Sequence, residues 1–184
     1  MLLEFVTMPN HHAIGTMESA ISITYGLGTW EGCHAVRVFD DALFPVCAPK
    51  LVENFDSNAV KGVLDTSPLL QWTGYLDPEQ HWKLWVDRLG MKNFEGRRVQ
   101  IYSDYELLLQ ACKAGEGIAI GSQYLVEPFL SDGTLVRLSD EQIWTEYGYY
   151  LVFDPVLLAK RNVRVLIEFL QKAAHQKSKE FQIN

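Results

Sequence analysis

Three things are missing from this sequence, and each absence removes a class of function. There is no Cys-x-x-Cys pair: the three cysteines, Cys33, Cys47 and Cys112, are odd in number and widely spaced. That pattern suits neither a disulfide framework nor a zinc ribbon, so free buried thiols are expected, as in a reducing compartment. There is no block of positive charge either. Sixteen Lys and Arg residues stand against 23 Asp and Glu, a net charge of −7, and the basic residues are scattered in short groups such as Arg97-Arg98 and Lys160-Arg161. A nucleic-acid surface needs clustered cations, so these groups read as solvated faces. Finally, no basic start leads into an apolar run, and no stretch approaches the roughly 18 apolar residues of a membrane span. A cytoplasmic location is expected.

The usual signatures of catalysis are absent as well. Gly26-x-Gly28-x-x-x-Gly32 has the wrong spacing for a dinucleotide fingerprint, and no long helix follows it. Its plainer reading is a tight turn with Trp30 as an apolar wall. His11 and His12 are adjacent and therefore diverge, and His34, His81 and His175 have no partners in sequence, so no metal site is expected. Ile120-Gly121-Ser122-Gln123 lacks the second glycine of a nucleophile elbow, and Cys47 lies between apolar neighbours. A non-enzymatic protein without a cofactor is expected.

What is present is concentrated in residues 103–121. Ser103 and Glu106 have the spacing of a capping box, and Leu107, Leu108, Ala111 and Cys112 fall on one helical face. Gly115 and Gly117 are read as the helix stop, followed by the short apolar strand Ile118–Ile120. The helix start should therefore point at the carboxyl edge of a sheet, where α/β proteins hold small ligands.

The remaining pattern alternates strands with helices. Strands are expected at Leu2–Thr7, Ile21–Tyr25, Val36–Pro49, Leu69–Trp72, Arg97–Tyr102, Leu135–Leu138 and Glu146–Phe153. Helices are expected around Leu51–Phe55, Asn58–Val63, Pro78–Leu89, Tyr124–Leu130 and Leu157–Ala174, the last burying Val163, Leu166, Ile167 and Leu170. Trp82 and Trp85, three apart, share a helical face and read as core, whereas Trp72 at a strand end is better placed to line a cleft. This alternation defines an α/β protein, and the long Val36–Pro49 strand suggests two lobes joined by passing strands.

Four segments together carry a resemblance: Ile23-Thr24-Tyr25-Gly26-Leu27-Gly28-Thr29-Trp30-Glu31-Gly32, Leu43 to Leu51 with Phe44-Pro45-Val46-Cys47, Trp82-Lys83-Leu84-Trp85 with Gly90, and residues 103–121. Jointly and in their spacing they resemble the effector-binding (substrate-binding) domain of LysR-type transcriptional regulators, in the glycine-cleavage-activator-like branch. The resemblance implies a periplasmic-binding-protein-like type 2 fold with two α/β lobes and an inter-lobe cleft. Residues 1–43 and 126–184 would form lobe I, without its usual first strand and helix, and residues 44–125 lobe II, with Leu43–Pro49 and Ile118–Ser122 as crossing strands. It further implies a small organic effector sensed in the cleft, an anionic group suiting the helix start. A homodimer or tetramer through the lobes is implied, with DNA bound only by a winged helix-turn-helix domain outside these residues. The alternative is a solute-binding protein of the same fold serving a transporter. Carried over by position, the ligand-binding residues would be Ser103, Thr7, Tyr25, Trp30, Ser122 and Tyr149, to which the strand-end argument adds Trp72. An acid common before the Tyr-Gly strand in the family is replaced here by Ala20 and Ile21.

Overall fold

The computed structural model describes residues 21–53, 59–74, 78–88 and 98–183. The expected strand at Leu2–Thr7, and with it Thr7, lies outside the described residues. The chain groups into two compact units, a flanking unit of Met1–Asp41 with Thr145–Asn184 and a middle unit of Ala42–Trp144.

In the flanking unit, β1 (Ile21–Gly26) pairs antiparallel with β7 (Ile143–Phe153), Ile21 opposite Phe153 and Tyr25 opposite Tyr149. β2 (His34–Cys47) is the next strand in the order. Leu151, Phe153, Leu157 and Ile167 form the core, with Ile21, Val36, Val38, Leu158, Val163 and Leu170 packed around it. The spacing of Val163, Ile167 and Leu170 puts one stripe of α5 (Arg161–Ile183) on the sheet, while Val165 and Phe169 face solvent. Strand alternation breaks once. Val38 joins the core and its neighbour Phe39 meets Tyr149 edge-on at 6.5 Å, so consecutive residues share a side. Arg37 and Asp40 then pair at 2.8 Å on the other side, as an extra residue in a strand produces.

In the middle unit, β3 (Leu69–Trp72) lies between β4 (Val99–Tyr102) and β5 (Ile118–Ser122), parallel to both. β2 runs antiparallel beside β5, Leu43 opposite Ser122, and β6 (Val136–Arg137) pairs with β2. The helices are α1 (Ala59–Thr66), α2 (Pro78–Arg88), α3 (Tyr105–Lys113) and α4 (Gln123–Ser131). Trp82 and Trp85 are buried in the core as expected, and the Trp82 indole N–H donates to the Leu70 carbonyl at 3.1 Å.

Several sequence expectations shift at this level. The N-cap of α3 is Asp104, whose carboxylate accepts from the Leu107 N–H at 3.0 Å; Ser103 lies one residue outside. With the register moved by one, Glu106 bonds Gln110 rather than closing a capping box, and Leu109 takes the buried place expected for Leu107, which is 62% exposed. Gly115 does stop the helix: at φ 70 its N–H reaches the Cys112 carbonyl, and Glu116 N–H reaches that of Ala111. Gly117 has another reason, since a Cβ there would meet the Pro68 carbonyl at 2.5 Å. β5 lies wholly inside the middle unit, and β2 and β7 each run across a boundary between the units. Residues 126–144 group with the middle unit, because Val126 is fully buried and β6 pairs with β2.

The capping assignment is checked by denaturation. Asp104→Ala should lose about 1 kcal/mol of stability, within the ~0.5–2 kcal/mol range for a cap, and Ser103→Ala no more than about 0.5 kcal/mol. The reverse order would return the cap to Ser103.

Candidate functional site

Because β3, β4 and β5 are parallel, their carboxyl ends share one edge of the middle unit. β3 ends at Trp72, β4 at Tyr102 just before Ser103, and β5 at Ser122. With β4 and β5 on opposite sides of β3, this edge is a topological switch point, where open α/β sheets hold ligands. Three of the residues expected to bind ligand thus meet for a reason of topology. A residue missed in the sequence joins them. The Tyr105 hydroxyl accepts from the Ser122 N–H at 2.9 Å and donates to the Ile120 carbonyl at 3.1 Å. Its ring meets that of Trp72 edge-on at 5.2 Å, and the Trp72 indole N–H donates to the Ser103 carbonyl at 3.4 Å. Ser103 is exposed and Ser122 is buried at the start of α4, without a side-chain cap bond. The first turn of α3 adds backbone donors, one of which Asp104 already occupies.

In the flanking unit the aromatic candidates also cluster. Tyr25 stacks on Tyr147 at 5.5 Å and tilts against Tyr149 at 5.0 Å. Burial, then the neighbouring Asp41 carboxylate, pushes the Tyr25 hydroxyl pKa well above the ordinary phenol range. Asp41, fully buried, is a second residue missed in the sequence. Trp30 is separate. It packs edge-on to Tyr150 at 5.5 Å and borders an open depression of about 450 Å³ with Gly28, Thr29, Glu31, Cys33, His34 and Ala35.

The buried thiols are poor nucleophiles. Burial pushes the Cys47 pKa up to about 11, and burial with Cys47 nearby takes Cys112 to about 12. All three cysteines are free, and the described residues contain no group of three His, Cys, Asp or Glu placed to hold a metal ion.

The fold and this edge define a class: a two-unit α/β protein of the periplasmic-binding-protein-like type 2 kind. The family model for the LysR substrate binding domain matches residues 13–175, and the chain belongs to that family. Over 132 residues it is 25% identical to the glycine cleavage system transcriptional activator of Escherichia coli (strain K12), a match covering 72% of this chain and 42% of that protein. The chain thus spans less than half the length of that relative. Among solved structures, the effector domain of the regulator AmpR of Pseudomonas aeruginosa matches with a TM-score of 0.72 at 20% identity, covering 88% of this chain and 75% of that one. The AmpR effector binding domain from Citrobacter freundii gives 0.72 at 22%, covering 85% and 74%. Full-length LysG from Corynebacterium glutamicum, with bound effector Arg, gives 0.56 at 20%, covering 82% and 50%.

The thiol assignment is checked in two ways. Iodoacetamide at pH 8 should label Cys33 in the folded protein, and Cys47 and Cys112 only after denaturation. Unfolded thiols release protons from about pH 8.5, whereas the folded ones hold theirs to about 11 and 12. Above about pH 8.5 the unfolded chain therefore binds fewer protons, and stability should fall as pH rises through that window. Flat stability there would contradict the assignment.

Proposed function

We propose that the protein is the small-molecule sensing domain of a LysR-type transcriptional regulator, acting in the cytoplasm without enzymatic activity. Transcription control would pass through a winged helix-turn-helix domain that these residues do not contain, in a homodimer or tetramer. The observation that carries this reading is the edge formed by Trp72, Ser103 and Ser122 at the carboxyl ends of parallel strands, in a chain of this family. The relatives, a transcriptional activator and regulator effector domains, support it over a transporter's solute-binding protein. Among the described residues no helix is long and apolar enough to cross a membrane.

On this reading Ser103 offers its hydroxyl to the effector, and the α3 start favours an acidic group. Tyr25 and Tyr149 stay candidates by the family resemblance of their positions. Trp30 stays a candidate through its depression, and Thr7 by its position in the sequence alone.

A thermal-shift screen of amino acids, purines and small carboxylates should find a compound that raises Tm, since a ligand of the folded state stabilises it. Ser103→Ala should then weaken that compound's affinity about three- to tenfold, as expected for one lost hydrogen bond. Equal affinity by calorimetry would remove Ser103 from the contacts, and specific operator binding by these residues alone would overturn the reading.

A further inference from the structure

The carboxyl edge of the middle unit carries a buried polar atom that the protein leaves unpaired. Gln123 is the first residue of α4, directly after Ser122 at the end of β5. Its side-chain carbonyl oxygen, Oε1, is buried and has no hydrogen-bond partner. Other polar groups at the edge are engaged or reach solvent. The Tyr105 hydroxyl is bonded twice, the Trp72 indole N–H donates to the Ser103 carbonyl, the Asp104 carboxylate caps α3, and Ser103 is exposed. A buried acceptor without a donor is destabilising, and such groups are concentrated where function requires them.

Chain position puts that oxygen at the edge. On a helix each Cα–Cβ bond tilts toward the N-terminus, and before the first residue of α4 lies only the end of β5. The Tyr105 hydroxyl accepts from the Ser122 N–H at 2.9 Å, so the residue before Gln123 is bonded to the first residue of α3. The Gln123 side chain therefore starts beside the α3 start, where Ser103 stands two residues ahead of Tyr105. An acceptor in that place selects for a group that donates. A plain carboxylate would offer it only a second acceptor.

We infer that Gln123 is a specificity-determining residue whose side-chain carbonyl accepts a hydrogen bond from an amino group of the effector. The edge then takes a small carboxylate that also carries an N–H donor, as an amino acid does. This rests on the sensing edge proposed above and adds the second group of its ligand: the acid meets the α3 start and Ser103, and the amino group meets Gln123. Gln123 is only partly buried as a residue, so rotation of its long side chain brings the amide to the incoming donor.

The test pairs amino acids with the acids that lack only the amino group, alanine with propionate and phenylalanine with phenylpropionate among them. In the intact protein, the amino acid that most raises Tm should bind at least about tenfold more tightly than its plain acid by calorimetry, the scale of one charge-assisted hydrogen bond. Gln123→Met keeps the length and removes the acceptor. It should cut that preference to about twofold or less and leave affinity for the plain acid within about twofold. Gln123→Glu, which keeps an acceptor, should hold or raise the preference. Without ligand, Gln123→Met should melt no lower than the wild type, because it removes an unpaired buried oxygen. Equal binding within the pairs, a preference that survives Gln123→Met, or no binding by any amino acid would overturn the inference. A fall of more than about 2 °C in the unliganded variant would do so as well, since the protein itself would then be using the oxygen. Failure of the edge looks different: the amino-acid preference would persist while the Ser103 and Ser122 amides stayed unmoved by NMR.

Discussion

The hydroxyl of Tyr105 fastens the beginning of α3 to the end of β5, and the geometry of the middle-unit edge follows from that attachment. A strand end leaves backbone groups that need partners. Here the Ser122 N–H and the Ile120 carbonyl find the same phenol oxygen. Ser103, two residues before Tyr105, and Ser122, at the β5 terminus, are thereby held in a fixed relation. Trp72 leans on the Tyr105 ring and bonds the Ser103 carbonyl, which adds the end of β3 to the same support. Rigid support of this kind lets an exposed serine act as a directed contact rather than a mobile surface group.

The flanking unit solves a different problem. It buries an acid, Asp41, beside a tyrosine hydroxyl and surrounds that tyrosine with rings. The low-dielectric setting strengthens each polar contact and also makes its loss costly. The apolar work lies at the other end of the sheet, where Leu151, Phe153 and Ile167 join α5 to β7.

Much of the fold was legible because its signals are local. The run Leu69–Trp72 is a strand over those same residues, and the Gly115 stop forms as its chemistry requires. The placing of the α3 start at the carboxyl edge was legible too, since a helix that follows a strand in an α/β sheet starts there; Ser122 came from the resemblance and Trp72 from its strand end. The errors came where two local solutions compete. Ser103 and Asp104 are both good caps, and only the register of the buried face, with Leu109 inside and Leu107 outside, selects Asp104. Tyr105 was invisible because its partners are backbone atoms fifteen and seventeen residues away. Asp41 was hidden by the break at Val38–Phe39, which reverses which of two adjacent acids is buried.

The central claim is that a small molecule is sensed at the edge Tyr105 organises. The most direct measurement is an amide NMR titration of the protein with the screened compound that most raises its Tm. The account predicts saturable shifts led by the amides of Ser103, Asp104 and Ser122, at the same apparent Kd. Shifts confined to Gly28–Ala35, with Ser103 and Ser122 unmoved at saturation, would contradict it.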